Sequence, residues 1–503
     1  MTAAHRRSKS PRRHRAARFA LGASLACAST LAPPALAGGY FAGSYGARAI
    51  GRGGAFSVKA DDLTAVTWNP AGLSRIQGTL LHAGNRLVYD AHSFTRATTL
   101  DWGNTSGGIP PLVEFPEVDN ELRWQALNPL FGVASNLGVE DWMFALSAHA
   151  PPGIARKRFP TDGGQRYLML ERQVLMLQYS ASAAFQPLEQ LGIGLSLHWI
   201  SVPSLEYQLV VDANQFPGDV NPVSSELDMR ARLSGSDLFT PNATVGAWYR
   251  PAEFLELGLA LQVIPATIRA DSKLSIEPLS PEIDDRVELR RDGARANDVS
   301  LSFPLPVTAR AGVRYRHLEG AAEVFDVELD IGFESWSRVR RFSVDTNDLT
   351  ATLLAQRLDI GSIDVEKHWH DTWSVQLGGD FALLPEHVTL RGGAFYETAS
   401  GDPSYAHVDF ASGAQLGAAL GASVFVQGLE LALAYEYRQQ PRQSVSEGGA
   451  RVLQEVPGSQ CAAPFTDPDT CHPQYLGRAA PAVNAGTYRY HSQLLSLDVL
   501  CRF

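Results

Sequence analysis

After its first forty positions the sequence has no run of eighteen or more uncharged apolar residues. A helix that crosses a bilayer needs about that length, so helical spanning is excluded. Mean hydropathy is -0.10 and hydrophobic residues make up 45% of the chain, too polar for a helical bundle in lipid. The hydrolase and nucleotide-binding signatures G-x-S-x-G, H-E-x-x-H and the P-loop are missing. Barrel hydrolases do without them, so that absence bears only on the classes that use them. Positive charge is short as well. Seven of the 43 basic residues fall in the first eighteen positions, and the 36 that follow face 53 acids. Nucleic acid is therefore not an expected partner, because phosphate binding needs a concentrated positive surface.

Those seven are Arg6, Arg7, Lys9, Arg12, Arg13, Arg15 and Arg18, with no acid among them. A stretch of apolar and small residues follows, ending in Ala35-Leu36-Ala37. Basic start, apolar middle and small-x-small end read as an export signal cleaved after Ala37. Lipoprotein processing at Cys27 is the alternative, but Ser24 stands where a lipobox prefers Leu.

From about Thr79 onward the dominant signal is alternation with period two. Phe325, Val327, Leu329, Ile331 and Phe333 share one face of a strand, while Asp326, Glu328, Asp330 and Glu334 share the other. A sandwich would turn the apolar face to a core, and a barrel would turn it to lipid with the acids in the lumen. Similar strands recur at residues 191–199, 255–263 and 429–437, many ending in Tyr or Trp as an interfacial girdle requires. Short turns near 186–190, 250–253, 317–321, 384–386 and 426–428 alternate with long polar segments at roughly 92–127, 203–240, 265–298, 338–369, 397–412 and 438–487. Up-and-down outer-membrane barrels segregate loop lengths in this way. Leu495, Leu497, Val499, Cys501 and Phe503 are expected to face lipid, in a pattern like that read by the barrel-assembly machinery. The fold class is therefore all-β, a transmembrane antiparallel barrel over residues 78–503. Residues 38–77 are Gly-rich and lack a spanning pattern, so a lumenal plug is expected there.

Cys461 and Cys471 share one polar, Pro-rich segment and are expected to close a short disulfide loop, with zinc beside His472 as the alternative. His368-Trp369-His370-Asp371 also invites a metal reading, which needs ligands that converge. The tract Arg156-Lys157-Arg158 either greets a carboxylate or lipopolysaccharide phosphate, or is simply a solvated loop.

The run from Gly46 through Arg48, Gly51, Arg52 and Gly53 to Phe56, followed by Ala60-Asp61-Asp62 and Asn69-Pro70-Ala71-Gly72, resembles the hatch of the outer-membrane long-chain fatty acid transporters (FadL type), which include aromatic hydrocarbon transporters. Leu305-Pro306, Asp330 with Trp336-Ser337, and Asp371-Thr372-Trp373 also fall where that family has similar elements. The resemblance implies fourteen strands, and the roughly 425 residues after the plug allow about 30 for each with its loop. It also implies that Asn69, Pro70 and Ala71 abut an opening made by a kinked third strand, where Pro151, Pro152 and Gly153 stand here. Proline cannot donate to a ladder and glycine permits a bulge, so that trio suits a kink. The Asn-Pro-Ala turn is otherwise just a rigid plug turn. Tyr40 and Phe41 match an aromatic N-terminus in the internal pocket, with ordinary plug packing as the alternative.

The expected function is passive uptake of hydrophobic small molecules, long-chain fatty acids or similar. The expected route runs from capture among the outer loops, through a pocket beside the plug, to lateral release into lipid. Leaving sideways avoids rehydrating the solute, at ~25 cal/mol per Å² of apolar surface. The acids near Asp326 either disfavour anionic solutes or are neutralised by lumenal arginines. Expected partners are the solute, outer-membrane lipid and lipopolysaccharide, and the assembly machinery. A monomer is expected, with no cofactor and no enzymatic activity. The alternatives are a barrel lipid hydrolase and a porin-like or structural barrel.

Overall fold

The computed structural model describes residues 39, 45–100, 112–151, 156–212, 228–279, 287–320, 322–353, 356–360, 362–452 and 482–503. The alternation resolves as a barrel and not as a sandwich. Val327, Leu329 and Ile331 are 44%, 40% and 47% exposed, whereas Asp326, Glu328 and Asp330 are buried. Only a wall with its apolar face outward and its acids inward gives that inversion. The end of the chain follows the same parity: Leu495, Leu497 and Phe503 are exposed, and Ser496, Asp498 and Leu500 are buried.

Fourteen antiparallel strands close the wall. β1 is Thr79–Arg96. β2 runs in three pieces, Val118–Asp119, Trp124–Gln125 and Pro129–Ser135. β3 runs in two, Trp142–His149 and Lys157–Arg158. β4 (Glu171–Leu188), β5 (Leu191–Asp212) and β6 (Asp228–Ala252) are continuous. β7 (Leu255–Gln262, Thr267–Pro278) and β8 (Asp298–Pro304, Thr308–Glu319) each break once. So do β9 (Ala322–Glu334, Arg341–Asp345) and β10 (Ile363–Glu366, Thr372–Leu384). β11 (Val388–Glu397), β12 (Gln415–Val426), β13 (Leu429–Val445) and β14 (Gly486–Arg502) complete the circuit. β14 then pairs with β1, from Leu80 opposite Arg502 to Arg96 opposite Gly486. Pro265, Pro306 and Pro151 stand in the breaks of β7, β8 and β3, where a missing N–H interrupts the ladder.

The strands outrun their sequence signal at the long-loop end. β6 has 25 residues, about 80 Å at a typical rise, against a hydrocarbon core of about 30 Å. Positions 203–212 and 228–240 read as polar loop but continue the β5–β6 ladder to Asp212 opposite Asp228. Beyond lipid no apolar outward face is required, so the alternation fades while backbone pairing persists.

The interior is divided. Towards the long loops it is apolar, with Met176, Val202, Leu205, Ile268, Leu301, Phe303, Trp336 and Val344 in one cluster. Towards the short turns it is filled by residues 45–77, which form a short helix α1 (Ala47–Gly51), a second α2 (Ala65–Trp68) and a 3-10 turn (Pro70–Arg75). Nearly all of this segment is buried.

Candidate functional site

The acids of β9 hold the N-terminal segment. Arg52 Nη1 lies 2.7 Å from Asp326 Oδ1 and 2.6 Å from Asp380 Oδ1, and its Nη2 lies 2.8 Å from Glu328 Oε2. Lys59 Nζ lies 2.8 Å from Asp326 and 3.0 Å from Asp380. The backbone N–H groups of Phe56 and Ser57 donate to Asp330 Oδ2, and that of Val58 to Glu328 Oε1. Arg314 and Arg391 supply further cations to Asp326 and Asp380. At the other end of the segment, Ala47 N–H donates to Asp498 Oδ2 at 2.7 Å. Asp326, Glu328 and Asp380 are thus neutralised by cations, whereas Asp330 is held by backbone N–H groups and Glu334 accepts from Trp336 Nε1. The first three serve as anchors for the segment, and Glu334 stands in the wall of the polar cavity above it.

Close backbone approach completes the seat. Gly53 adopts φ +63°. A Cβ on Gly393 of β11 would lie 2.0 Å from Arg52 O, so the wall must be bare there. Asn69 Nδ2 donates to Ser57 O and to Ala247 O of β6, and its Oδ1 accepts from Ala71 N–H. Trp248 Nε1 donates to Ala71 O. Asn69, Pro70 and Ala71 therefore lie against β5 and β6, at Gly194 and Gly246.

Above the segment lies a polar cavity of about 140 Å³, lined by Tyr45, Trp68, His198, Arg310, Gln376 and Arg438 among others. Nearer the long loops is an apolar cavity of about 70 Å³, lined by Val174, Met176, Leu205, Leu301, Phe342 and Phe410, with Arg172 at its margin. The Arg172 guanidinium lies 4.2 Å from the Phe410 ring, and its Nη1 donates to Asp409 O. Its Nε is buried without a hydrogen-bond partner. Arg172 and Phe410 also line a third, smaller cavity with Arg86, Asp90, Gln125 and Lys157.

That third cavity adjoins the interruption of β3. His149 pairs with Gln178 of β4, and Lys157 next pairs with Arg172. Between them, Gln173, Val174, Leu175 and Leu177 of β4 take their ladder partners from β5 among the described residues, with a register shift at Met176. Pro151 is buried; Ala150 before it donates N–H to Pro129 O and accepts from Arg86 Nη2. Pro152, Gly153, Tyr40, Phe41, Cys461 and Cys471 lie outside the described residues. The basic tract splits by parity. Lys157 turns inward, 3.4 Å from Asp90, while Arg156 and Arg158 pair with Glu171 and Glu121 near the surface. His368 contacts Glu366 and stacks on Tyr405, while Trp369 packs on Trp336 and Phe410. Asp371 accepts from Ser337 N–H at 2.9 Å, joining two of the elements that carry the family resemblance.

Sequence reasoning named Arg52 within the hatch run without giving it a partner, and passed over Lys59, Arg172, Asp409 and Phe410. A row of lumen-facing acids was the available signal for the first two, since buried acids require cations. For the others no local pattern exists.

A closed fourteen-strand barrel, apolar outside and occluded inside by its own N-terminal segment, defines an outer-membrane transport protein. The chain belongs to the outer membrane protein transport protein family (OMPP1/FadL/TodX), whose model matches residues 26–456. Its fold is similar to that of a Pseudomonas aeruginosa FadL homologue, with a TM-score of 0.68 and 15% identity over 93% of this chain and 100% of that one. The P. putida toluene transporter TodX gives 0.58 and 14%, covering 92% and 99%. The CymD monoaromatic hydrocarbon channel gives 0.55 and 14%, covering 90% and 96%. None of the curated protein sequences matches the chain.

Proposed function

We propose that this chain carries hydrophobic small molecules with an acidic head, of the long-chain fatty acid kind, passively across the outer membrane as a transporter and not as an enzyme. The observation that carries the reading is the apolar cavity with Arg172 at its margin, one buried guanidinium nitrogen having no partner. Aliphatic and aromatic walls take the chain of the solute, and the guanidinium takes its carboxylate. Residues 38–77 act as the hatch. Of these, residues 45–77 fill the short-turn half of the lumen, so a straight path to the periplasm is blocked and a sideways exit at the β3 interruption, beside Pro151, Pro152 and Gly153, is favoured. Asn69, Pro70 and Ala71 brace this hatch against β5 and β6, and Tyr40 and Phe41 reach the pocket from its leading end.

The remaining expectations are part of the same proposal. Residues 1–37 are an export signal, and Cys461 bonds to Cys471. The alternating Leu495-to-Phe503 pattern recruits the assembly machinery, and the barrel works as a monomer among outer-membrane lipid and lipopolysaccharide.

The test is uptake of labelled oleate and of toluene by cells expressing the chain, with and without Asn69, Pro70 and Ala71. Oleate uptake that drops on deletion, with the barrel still assembled, supports the reading. A folded barrel that takes up neither solute overturns it, and single-channel conductance then tests a porin-like role.

A further inference from the structure

We propose that the loop of residues 398–414, folded into the lumen, is a gate. Phe410 is its leaf between the apolar cavity and the chamber beside the β3 interruption, and the Asp409–Lys367 ion pair is its latch. This rests on the transport reading above.

The loop joins β11 to β12 at the long-loop end, yet it does not project outward. Ala399, Ser400, Ala406, His407, Val408, Asp409, Ser412 and Ala414 are all buried. Its neck is closed by Gly401 N–H donating to Ser412 O at 3.0 Å, the construction of an Ω-loop. Its outer part is tied to the two described ends of the β13–β14 connection. Asn484 Nδ2 donates to Ser404 O and Ala406 O, and Arg451 N–H also donates to Ser404 O.

The inner part is held differently. Asp409 Oδ2 lies 2.6 Å from Lys367 Nζ with both groups 1% exposed, and Asp409 O accepts from Arg172 Nη1 at 2.9 Å. The neighbouring Phe410 ring meets Phe342 and Trp369 edge-on, with centroids 6.0 and 6.1 Å apart. Phe410 lines both cavities, as does Arg172, so the ring and the guanidinium over it stand where the two spaces meet. A solute passing from one to the other must displace this pair. The latch holds the loop in one geometry, because parting two buried charges leaves each without its counter-charge.

Replacing Phe410 in both directions tests the leaf. In cells expressing correctly folded protein, Phe410→Ala is expected to raise oleate uptake several-fold and Phe410→Trp to lower it several-fold. A merely structural role would lower uptake in both variants. A transporting wild type whose uptake neither variant changes, or both reduce, overturns the leaf. Amide hydrogen exchange tests the latch without reference to transport. Asp409→Asn is expected to speed exchange at residues 406–411 while the strands stay protected. Unchanged exchange there overturns the latch. Absence of uptake by the wild type overturns the transport reading and the leaf with it, and the exchange result still decides the latch.

Discussion

Arg52 Nη1 lies within 2.7 Å of carboxylates on two neighbouring strands, Asp326 of β9 and Asp380 of β10, although it belongs to neither strand. The guanidinium therefore rivets residues 45–77 to the wall and neutralises the wall in the same contact. Removing one partner from a buried ion network leaves its counter-charges bare, at a cost of about 3–5 kcal/mol. Arg52→Met is expected to lower the unfolding free energy of the refolded barrel by that order, read as a lower denaturant midpoint, and to make liposomes carrying it leak small polar solutes. Unchanged midpoint and leak would show that the segment is held by its other contacts alone.

Adjacent glycines of β11 offer a finer probe. A Cβ on Gly393 would fall 2.0 Å from Arg52 O and 2.2 Å from its carbonyl carbon, whereas one on Gly392 would meet only Leu420 Cδ2 at 3.8 Å. Gly393→Ala is therefore expected to displace the segment and destabilise the fold by about 1–3 kcal/mol, the usual cost of overpacking. Gly392→Ala is expected to be silent. Equal melting behaviour of the two variants would contradict the close approach at Arg52.

What the sequence made legible follows from how each part is stabilised. The wall must face lipid on one side, so Val327, Leu329 and Ile331 announce themselves by alternation, and so does the parity of Leu495 and Leu497. The ladder above the membrane has no such constraint, which is why β5 and β6 extend through positions that read as loop. The hatch motif was visible as a run of glycines around Arg52, but its partners lie some 270 to 330 positions away in Glu328 and Asp380, beyond any local pattern. Arg172, Asp409 and Phe410 are harder still. They come together only because a polar-looking loop folds inward, and loop composition does not encode that direction.

Arg172 carries the prediction on solute class. A hydrogen bond to a charged group contributes about 1.5–3 kcal/mol, so losing one between guanidinium and carboxylate lowers preference by roughly tenfold or more. Arg172→Met is expected to reduce the ratio of oleate to toluene uptake by that order, and Arg172→Lys is expected to restore part of it. Because both solutes pass Phe410, the ratio separates head-group recognition from gating. A ratio unmoved by Arg172→Met removes the acid from the proposed substrate class.

The inward-folded loop also predicts a pH dependence. Burial disfavours the Asp409 carboxylate, but His407 and Lys367 outweigh it and hold its pKa well below the ordinary range. Burial pushes His407 down from its usual value, against the pull of Asp409. Lys367 and Arg172 are the other charged groups that meet Asp409. Both shifts act with one sign. The folded loop takes up protons less readily than the free chain, so its stability is full above the ordinary pKa values and declines as pH falls. The decline begins near pH 6.5, where a free histidine starts to charge, and steepens below about pH 4, where a free aspartate does. Amide protection factors at residues 406–411, each corrected for the intrinsic rate at that pH, are expected to fall in those two steps. His407→Gln is expected to remove the first step and Asp409→Asn the second. Protection that stays level from pH 7 to about pH 3 would mean that neither group is held as the buried geometry requires.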